Sequence, residues 1–157
     1  MSDKVPITLK GKLALEEELR RLKGVDRPSV IEAISTARAH GDLSENAEYA
    51  AARERQSFIE GRILDIGDKL ARAEVIDQTT IRSEKVVFGA TVSLLDENEK
   101  SVKYMIVGEP EADLSQGKIS VTSPIARALM GRIKGDEAIV KSPKGEIVYE
   151  VTAIEYK

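Results

Sequence analysis

Apolar residues in the first half of the chain recur at the spacing of an α-helix. The clearest run lies in residues 44–74, where steps of three and four alternate for more than three heptads. This spacing is the a/d seam of a coiled coil; its members are Tyr49, Ala52, Gln56, Ile59, Ile63, Ile66, Leu70 and Ala73. Because residues 8–77 are rich in Leu, Ala, Glu, Arg and Lys, which favour helix, the pattern predicts a helical first half.

The helical stripe before residue 40 comes in two pieces that are out of phase. The first piece is Leu15, Leu19 and Leu22, and the second runs through Val30 or Ile31, Ile34 and Ala37 or Arg38. Between them, residues 23–28 contain a glycine, which weakens a helix, and a proline, which disfavours helical geometry at the residue before it. We therefore predict a kink or a short break in this segment.

A chain reversal is predicted at residues 40–45. Gly41 suits the end of one helix, and Asp42 or Ser44 suits the cap of the next. The two helices should fold back antiparallel, and about 30 residues at 1.5 Å each make an arm roughly 45 Å long. A stripe only two positions wide cannot bury such an arm in a globular core, so we expect it to project into solvent.

The second half changes to short β-rich runs, at residues 86–95, 102–107, 119–121, 138–141 and 147–154. Residues 123–131 predict a short helix with a serine cap, a proline at its first position and a terminal glycine. The predicted fold is therefore α+β. An antiparallel α-helical coiled-coil hairpin (residues 1–77, with its tip at 41–45) is followed by a linker (78–83) and a small antiparallel β-sheet domain with one short helix (84–157).

Composition narrows the possible chemistry. The chain has no cysteine and one histidine, which removes disulfides, thiolate sites and most histidine metal cages.

The net charge of −3 is shared evenly between the halves, whereas an autonomous nucleic-acid binder usually presents a basic surface, so a protein partner is favoured. No apolar stretch approaches the roughly 20 residues of a spanning helix, and the N-terminus lacks a secretory pattern, so we expect no membrane association and a cytoplasmic location.

Two carboxylates, Asp42 and Glu45, lie three residues apart at the predicted tip. One interpretation is a capping box, in which both acids serve the start of the second helix. The other is a functional pair that supplies part of a Mg²⁺ site. Since Mg²⁺ takes six oxygen ligands, the rest of such a site would have to come from another molecule.

Residues 37–54, ARAHGDLSENAEYAAARE, closely resemble the tip motif of the bacterial Gre transcript-cleavage factors. The resemblance continues through residues 60–63, 75–77, 88–92, 104–108 and 119–127, and so covers nearly the whole chain. Since no large cationic stripe lies along the arm, the chain is most similar to the GreA type of this family.

The resemblance implies a transcription elongation factor that is not itself an enzyme. Members bind RNA polymerase, insert the hairpin through its secondary channel and stimulate Mg²⁺-dependent cleavage of backtracked RNA in arrested elongation complexes. Asp42 and Glu45 match the acidic tip residues that help to hold the second Mg²⁺ and its attacking water, while the polymerase holds the first metal. The implied Mg²⁺ is shared with the polymerase and not bound tightly by the isolated chain, and oligomerisation is not required.

The resemblance also implies roles for five further residues, each with an ordinary structural alternative. Ser44 would contact substrate or water, or cap a helix. Arg38 and Arg53 match basic positions that contact the RNA 3′ segment, although exposed arginines usually pair with acids. Ser123 and Pro124 match a polymerase-docking loop of an FKBP-like, prolyl-isomerase-like domain, although they also suit a helix start.

Two other classes of function remain open at this point. The second domain could be a free-standing isomerase or chaperone module whose clients are gripped by the coiled coil, but it offers few aromatics for such a pocket: Phe88, Tyr104, Tyr149 and Tyr156. Alternatively, the hairpin could be a purely structural coiled coil that pairs between chains.

Overall fold

The computed structural model describes residues 4–40 and 46–157. The chain forms two compact units: Lys12–Arg72 makes one, and the segment ending at Gly11 joins Ala73–Lys157 to make the other. The predicted architecture of a helical hairpin followed by a sheet domain is confirmed. The domain bounds differ from the predicted ones, because the N-terminal segment groups with the sheet domain.

The hairpin has one interrupted arm and one continuous arm. The first arm consists of α1 (Leu9–Arg21), a π-helical segment (Leu22–Asp26) and α2 (Arg27–Arg38), and the second is α3 (Ala47–Arg72). The 26 residues of α3 span about 39 Å, which is shorter than expected because the helix begins later and gives way to a strand. The buried side chains of Lys12–Arg72 follow the predicted seam: Leu15, Leu22, Val30, Ile34, Ala37, Ala52, Ile59, Ile63 and Ile66.

The π-helical segment explains why the two apolar stripes of the first arm are out of phase. The N–H of Arg27 donates to the carbonyl of Leu22, five residues earlier. In an unbroken α-helix, the eight residues from Leu22 to Val30 would overshoot two full turns by about 80°. A π-turn rotates less per residue, so both side chains stay buried on the same face. The predicted irregularity is thus a widened turn rather than a break.

Two bidentate ion pairs join the arms in antiparallel register. The guanidinium of Arg27 donates to both carboxylate oxygens of Glu60, at 2.8 Å each. Arg62 donates in the same way to Glu18, at 2.6 and 2.7 Å. Hydrogen bonds from Arg62 hold the pKa of the Glu18 carboxyl below its usual value. Paired forks of this kind add geometric specificity to the helix pairing.

The sheet domain contains a small parallel pair and a five-stranded sheet. β1 (Val5–Thr8) pairs in parallel with β2 (Ala73–Ile76), a pairing that the helical pattern of residues 8–77 did not predict. The larger sheet has the order β5-β4-β3-β7-β6. Its strands are β3 (Thr91–Leu95), β4 (Ser101–Val107), β5 (Lys118–Ser120), β6 (Glu137–Ser142) and β7 (Gly145–Glu155), with helix α4 (Pro124–Leu129) between β5 and β6.

Two details of the predicted sheet are corrected. The pair β4 and β5 is parallel, because the chain crosses over through two short 3₁₀ turns instead of a hairpin. The predicted strand at residues 86–95 begins only at Thr91. Gly89 adopts a φ of 90°, and the N–H of Ala90 closes a turn onto the carbonyl of Val87, so the preceding residues cannot continue the ladder.

One carboxylate anchors β1 and the start of α1. The side chain of Glu111 accepts hydrogen bonds from the N–H of Thr8 at 2.9 Å, from the N–H of Gly108 at 2.9 Å and from the hydroxyl of Thr8. The hydroxyl of Thr8 in turn accepts from the N–H of Gly11 at 3.0 Å, which caps the first turn of α1. Gly11 lies so close that a Cβ there would stand 2.0 Å from a Glu111 oxygen.

Candidate tip site of the helical hairpin

The predicted tip residues Asp42, Ser44 and Glu45 lie outside the described residues, whereas both flanks of the tip are described. α2 ends at Arg38 and α3 begins at Ala47. We call these two helix ends, at Arg38 and Ala47, the base of the tip.

Asn46 caps α3 and reaches across to α2. Its Oδ1 accepts a hydrogen bond from the N–H of Tyr49 at 3.0 Å, as an N-cap side chain does. Its Nδ2 donates to the carbonyl of Ala37, in the last turn of α2, at 2.8 Å. A capping box made by Asp42 and Glu45 would require the helix to begin several residues earlier. The described helix begins at Ala47, with Asn46 as its cap.

A cluster of cationic and aromatic side chains lies beside this cap. The guanidinium carbon of Arg38 lies 5.9 Å from the ring centroid of Tyr49, within the range of a cation–π contact. Arg53 is exposed on α3, one turn beyond Tyr49 and therefore on the same side of the helix. The predicted RNA-contact residues Arg38 and Arg53 thus both lie near Tyr49. Their contact with RNA stays a prediction.

His40 follows α2 and contacts an acid at the start of α3. Its Nδ1 lies 3.6 Å from a carboxylate oxygen of Glu48, and both side chains are largely exposed. Exposed polar contacts of this kind contribute little to stability. This contact adds a second link between the arms beside the tip.

Ser123 and Pro124 start α4. The hydroxyl of Ser123 accepts a hydrogen bond from the N–H of Ala126 at 3.3 Å, and Pro124 is the first helical residue. The predicted short helix with a serine cap and a proline at its first position is confirmed, and the polymerase-docking role stays a prediction. Pro124 is exposed, so it stays a candidate for contact with a partner.

The tyrosines of the sheet domain are used by its own core. Tyr149 is buried in the main apolar cluster, Tyr104 and Tyr156 pack against it, and burial raises the pKa of the Tyr149 hydroxyl. The hydroxyl of Tyr156 donates to the carbonyl of Lys85 at 2.6 Å and accepts from the N–H of Val87 at 3.0 Å. These three tyrosines therefore stabilise the sheet domain, and their contacts do not favour an isomerase pocket.

Comparison with known families decides the class of the chain. Residues 5–75 match the family model described as "Transcription elongation factor, N-terminal". Residues 81–156 match the model described as "Transcription elongation factor, GreA/GreB, C-term". The chain belongs to the GreA/GreB family of transcription elongation factors.

Full-length relatives support the same family. The "Transcription elongation factor GreA" of Hyphomonas neptunium is 60% identical over 156 residues, which cover 99% of each chain. That of Phenylobacterium zucineum is 58% identical over 155 residues, covering 98% of this chain and 99% of the relative. Among solved structures, GreA factor homolog 1 (Gfh1) of Thermus thermophilus is 26% identical and covers 97% of this chain and 99% of its own, with a TM-score of 0.45.

The described residues of this GreA/GreB family member were searched for membrane-spanning helices and for metal-binding groups. Within residues 4–40 and 46–157, no helix is both long and apolar enough to cross a membrane. The same residues contain no group of three or more histidine or acidic side chains placed to hold a metal ion. The predicted Mg²⁺ ligands, Asp42 and Glu45, fall outside them.

Sequence reasoning missed two residues at the base of the tip. The apolar spacing places Tyr49 in the coiled-coil seam and gives no sign that Arg38 lies over its ring. Asn46 does not stand out in the sequence because Asp42 and Ser44 also suit a cap. The available signal was that asparagine ranks with aspartate and serine as an N-cap and stands directly before the unbroken helical run.

Proposed function

We propose that this protein binds RNA polymerase through its sheet domain, inserts the hairpin into the secondary channel and stimulates cleavage of backtracked RNA. In this proposal the polymerase is the enzyme, and the protein supplies the carboxylates that the reaction lacks. The partners are the polymerase and the RNA 3′ end of an arrested elongation complex, in the cytoplasm.

The proposal is supported most directly by the cap at Asn46. Because the N–H of Tyr49 is satisfied by Asn46, this donor in the first turn of α3 does not require Asp42 or Glu45. Two acids at the end of a narrow hairpin, beside a helix whose described cap is Asn46, fit a role outside the free protein. Full-length similarity to proteins named transcription elongation factor GreA agrees with that role.

The donor set fits a shared magnesium ion. Asp42 and Glu45 offer hard carboxylate oxygens, the ligand type that Mg²⁺ prefers, and Mg²⁺ at phosphoryl-transfer sites commonly takes one or two carboxylates from a protein. When bound, the ion supplies positive charge that stabilises the developing charge on the phosphoryl oxygens. The other ligands would come from the polymerase and the RNA.

The flanking residues have assigned roles in the proposal. Arg38 and Arg53 lie on the sides of the hairpin near Tyr49 and would hold the phosphates of the extruded RNA 3′ segment. Ser44 would contact the substrate or the attacking water. The start of α4, at the half-buried Ser123 and the exposed Pro124, would dock on the polymerase.

The deciding experiment is a cleavage assay on a stalled, backtracked elongation complex with Mg²⁺. We expect the wild-type protein to shorten the transcript from its 3′ end and to leave free RNA intact. The double variant Asp42→Asn, Glu45→Gln should bind the polymerase but lose most of the stimulation. A double variant that cleaves as well as the wild type would refute the role of the tip carboxylates.

A matched control removes the same charge away from the tip, at Asp68 on α3 and at Glu74 on β2. Asp68 and Glu74 are exposed and lie more than 20 residues from the tip. The variant Asp68→Asn, Glu74→Gln should stimulate cleavage like the wild type. If it lost as much activity as the tip variant, general electrostatics rather than the tip would explain the effect.

A further inference from the structure

The side chain of Asn46 uses both ends of its amide at the base of the tip. The oxygen accepts from the N–H of Tyr49 in the first turn of α3, and the nitrogen donates to the carbonyl of Ala37 in the last turn of α2. The Ala37 carbonyl also accepts the N–H of His40, at 3.1 Å. One side chain therefore ties the end of one helix to the start of the next.

Capping alone does not account for asparagine at this position. Asparagine, aspartate and serine are about equally good N-caps, since each offers an oxygen to the N–H two or three residues on. Of the three, only asparagine carries a separate NH₂ group that can donate to a second partner while the oxygen caps the helix. An ionised aspartate has acceptors only and would place a negative oxygen against the Ala37 carbonyl, and a serine hydroxyl is too short to reach it.

The tie fixes the two ends of the segment that carries Asp42 and Glu45. The bond from Asn46 to Ala37 spans nine positions of the sequence, and the two acids lie between them. Catalytic groups lose rate steeply with small displacements, and groups that orient metal ligands typically change activity by 10- to 100-fold when removed.

We propose that Asn46 is a positioning residue for the tip carboxylates and acts through its amide donor to the Ala37 carbonyl. The proposal rests on the function proposed above and adds a residue that is neither a metal ligand nor an RNA contact. Its effect should fall on the maximal cleavage rate rather than on polymerase binding or protein stability.

The test separates the donor from the cap. Asn46→Ser and Asn46→Asp keep the cap oxygen and lose the donor, whereas Asn46→Ala loses both. In Ser and Asp variants we expect the maximal cleavage rate at saturating factor to fall about tenfold or more, with the half-saturating concentration changed by less than about twofold. Amide hydrogen exchange at the N–H of Tyr49 should stay slow in both, and accelerate in Asn46→Ala. Asn98→Asp, in the exposed hairpin turn of the sheet domain, controls for the loss of one amide.

Each other outcome has a definite meaning. If the Ser and Asp variants cleave at the wild-type maximal rate while the double tip variant is inactive, the proposed function stands and the positioning role is wrong. The positioning role is also wrong if only the Asp variant is impaired, because added charge then explains the loss, or if the variants differ only in half-saturating concentration. If the wild-type protein fails to shorten backtracked RNA, the proposed function itself falls.

Discussion

Removing the carboxylate of Glu111 should loosen β1 and the first turn of α1. The variant Glu111→Ala deletes three hydrogen bonds, from the N–H of Thr8, the hydroxyl of Thr8 and the N–H of Gly108. A hydrogen bond to a charged group contributes about 1.5–3 kcal/mol. Since Glu111 is only half-buried and water can replace part of each bond, we expect about 1 kcal/mol per bond, or about 3 kcal/mol for local opening.

The assay that isolates this effect is amide hydrogen exchange, because it reports the opening of each segment separately. A loss of about 3 kcal/mol corresponds to about a hundredfold faster exchange at the N–H groups of Thr8 and Gly108, at 1.4 kcal/mol per factor of ten. Glu111→Gln keeps one acceptor oxygen, so its exchange rates should lie between those of the wild type and those of Glu111→Ala. Glu109→Ala, which removes an exposed acid from the same 3₁₀ turn, should stay within about 0.5 kcal/mol of the wild type. Exchange at Thr8 within about threefold of wild type in Glu111→Ala would refute the anchor.

Three further variants test neighbouring parts of the fold. Gly11→Ala places a Cβ 2.0 Å from a Glu111 oxygen and should lower the stability of the protein by about 1–3 kcal/mol. This loss should be smaller in the double variant with Glu111→Ala. Thermal melting of the single and double variants measures the difference. Gln78→Met removes a buried Oε1 without a partner among the described residues and, with it, only a long bond of 3.4 Å from Nε2 to the carbonyl of Lys157. The free energy of unfolding in urea should therefore change by less than about 1 kcal/mol, and a larger decrease would contradict this. Because hydrogen bonds from Arg62 lower the pKa of the Glu18 carboxyl below its ordinary 4.5, this stabilisation is present above pH 4.5 and lost as the pH falls through the lowered pKa. Helix content measured by circular dichroism between pH 7 and pH 3 should therefore depend less on pH in Arg62→Met, and an identical pH profile would refute the link.

The helical half was predictable because its information is local. A seam spaced by three and four residues fixes the buried face of α3, and the structure buries Ala52, Ile59, Ile63 and Ile66 as that spacing predicts. The phase shift of the first arm was also visible in the sequence. Its cause was not, because a widened turn and a kink displace the apolar stripe in the same way.

The parts that sequence reasoning missed depend on distant partners. β1 and β2 have four residues each and lie 68 positions apart in register, so neither shows a period long enough to distinguish strand from helix. The bonds from Glu111 to Thr8 join residues 103 positions apart, and no local pattern marks such a pair.

At the tip, the identity of the cap bears on how well the acids could hold a metal ion. If Asp42 were the N-cap, turning its carboxylate toward Mg²⁺ would break the cap, which is worth about 1 kcal/mol and would weaken metal binding about fivefold. With the cap at Asn46, binding an ion at the tip leaves that bond of α3 intact. The amide of Asn46 therefore leaves the carboxylates of the tip without this bond to keep. Asn46 starts the helix, and Asp42 and Glu45 are left for the proposed binding of Mg²⁺. From the sequence pattern alone, both tasks fall on Asp42 and Glu45.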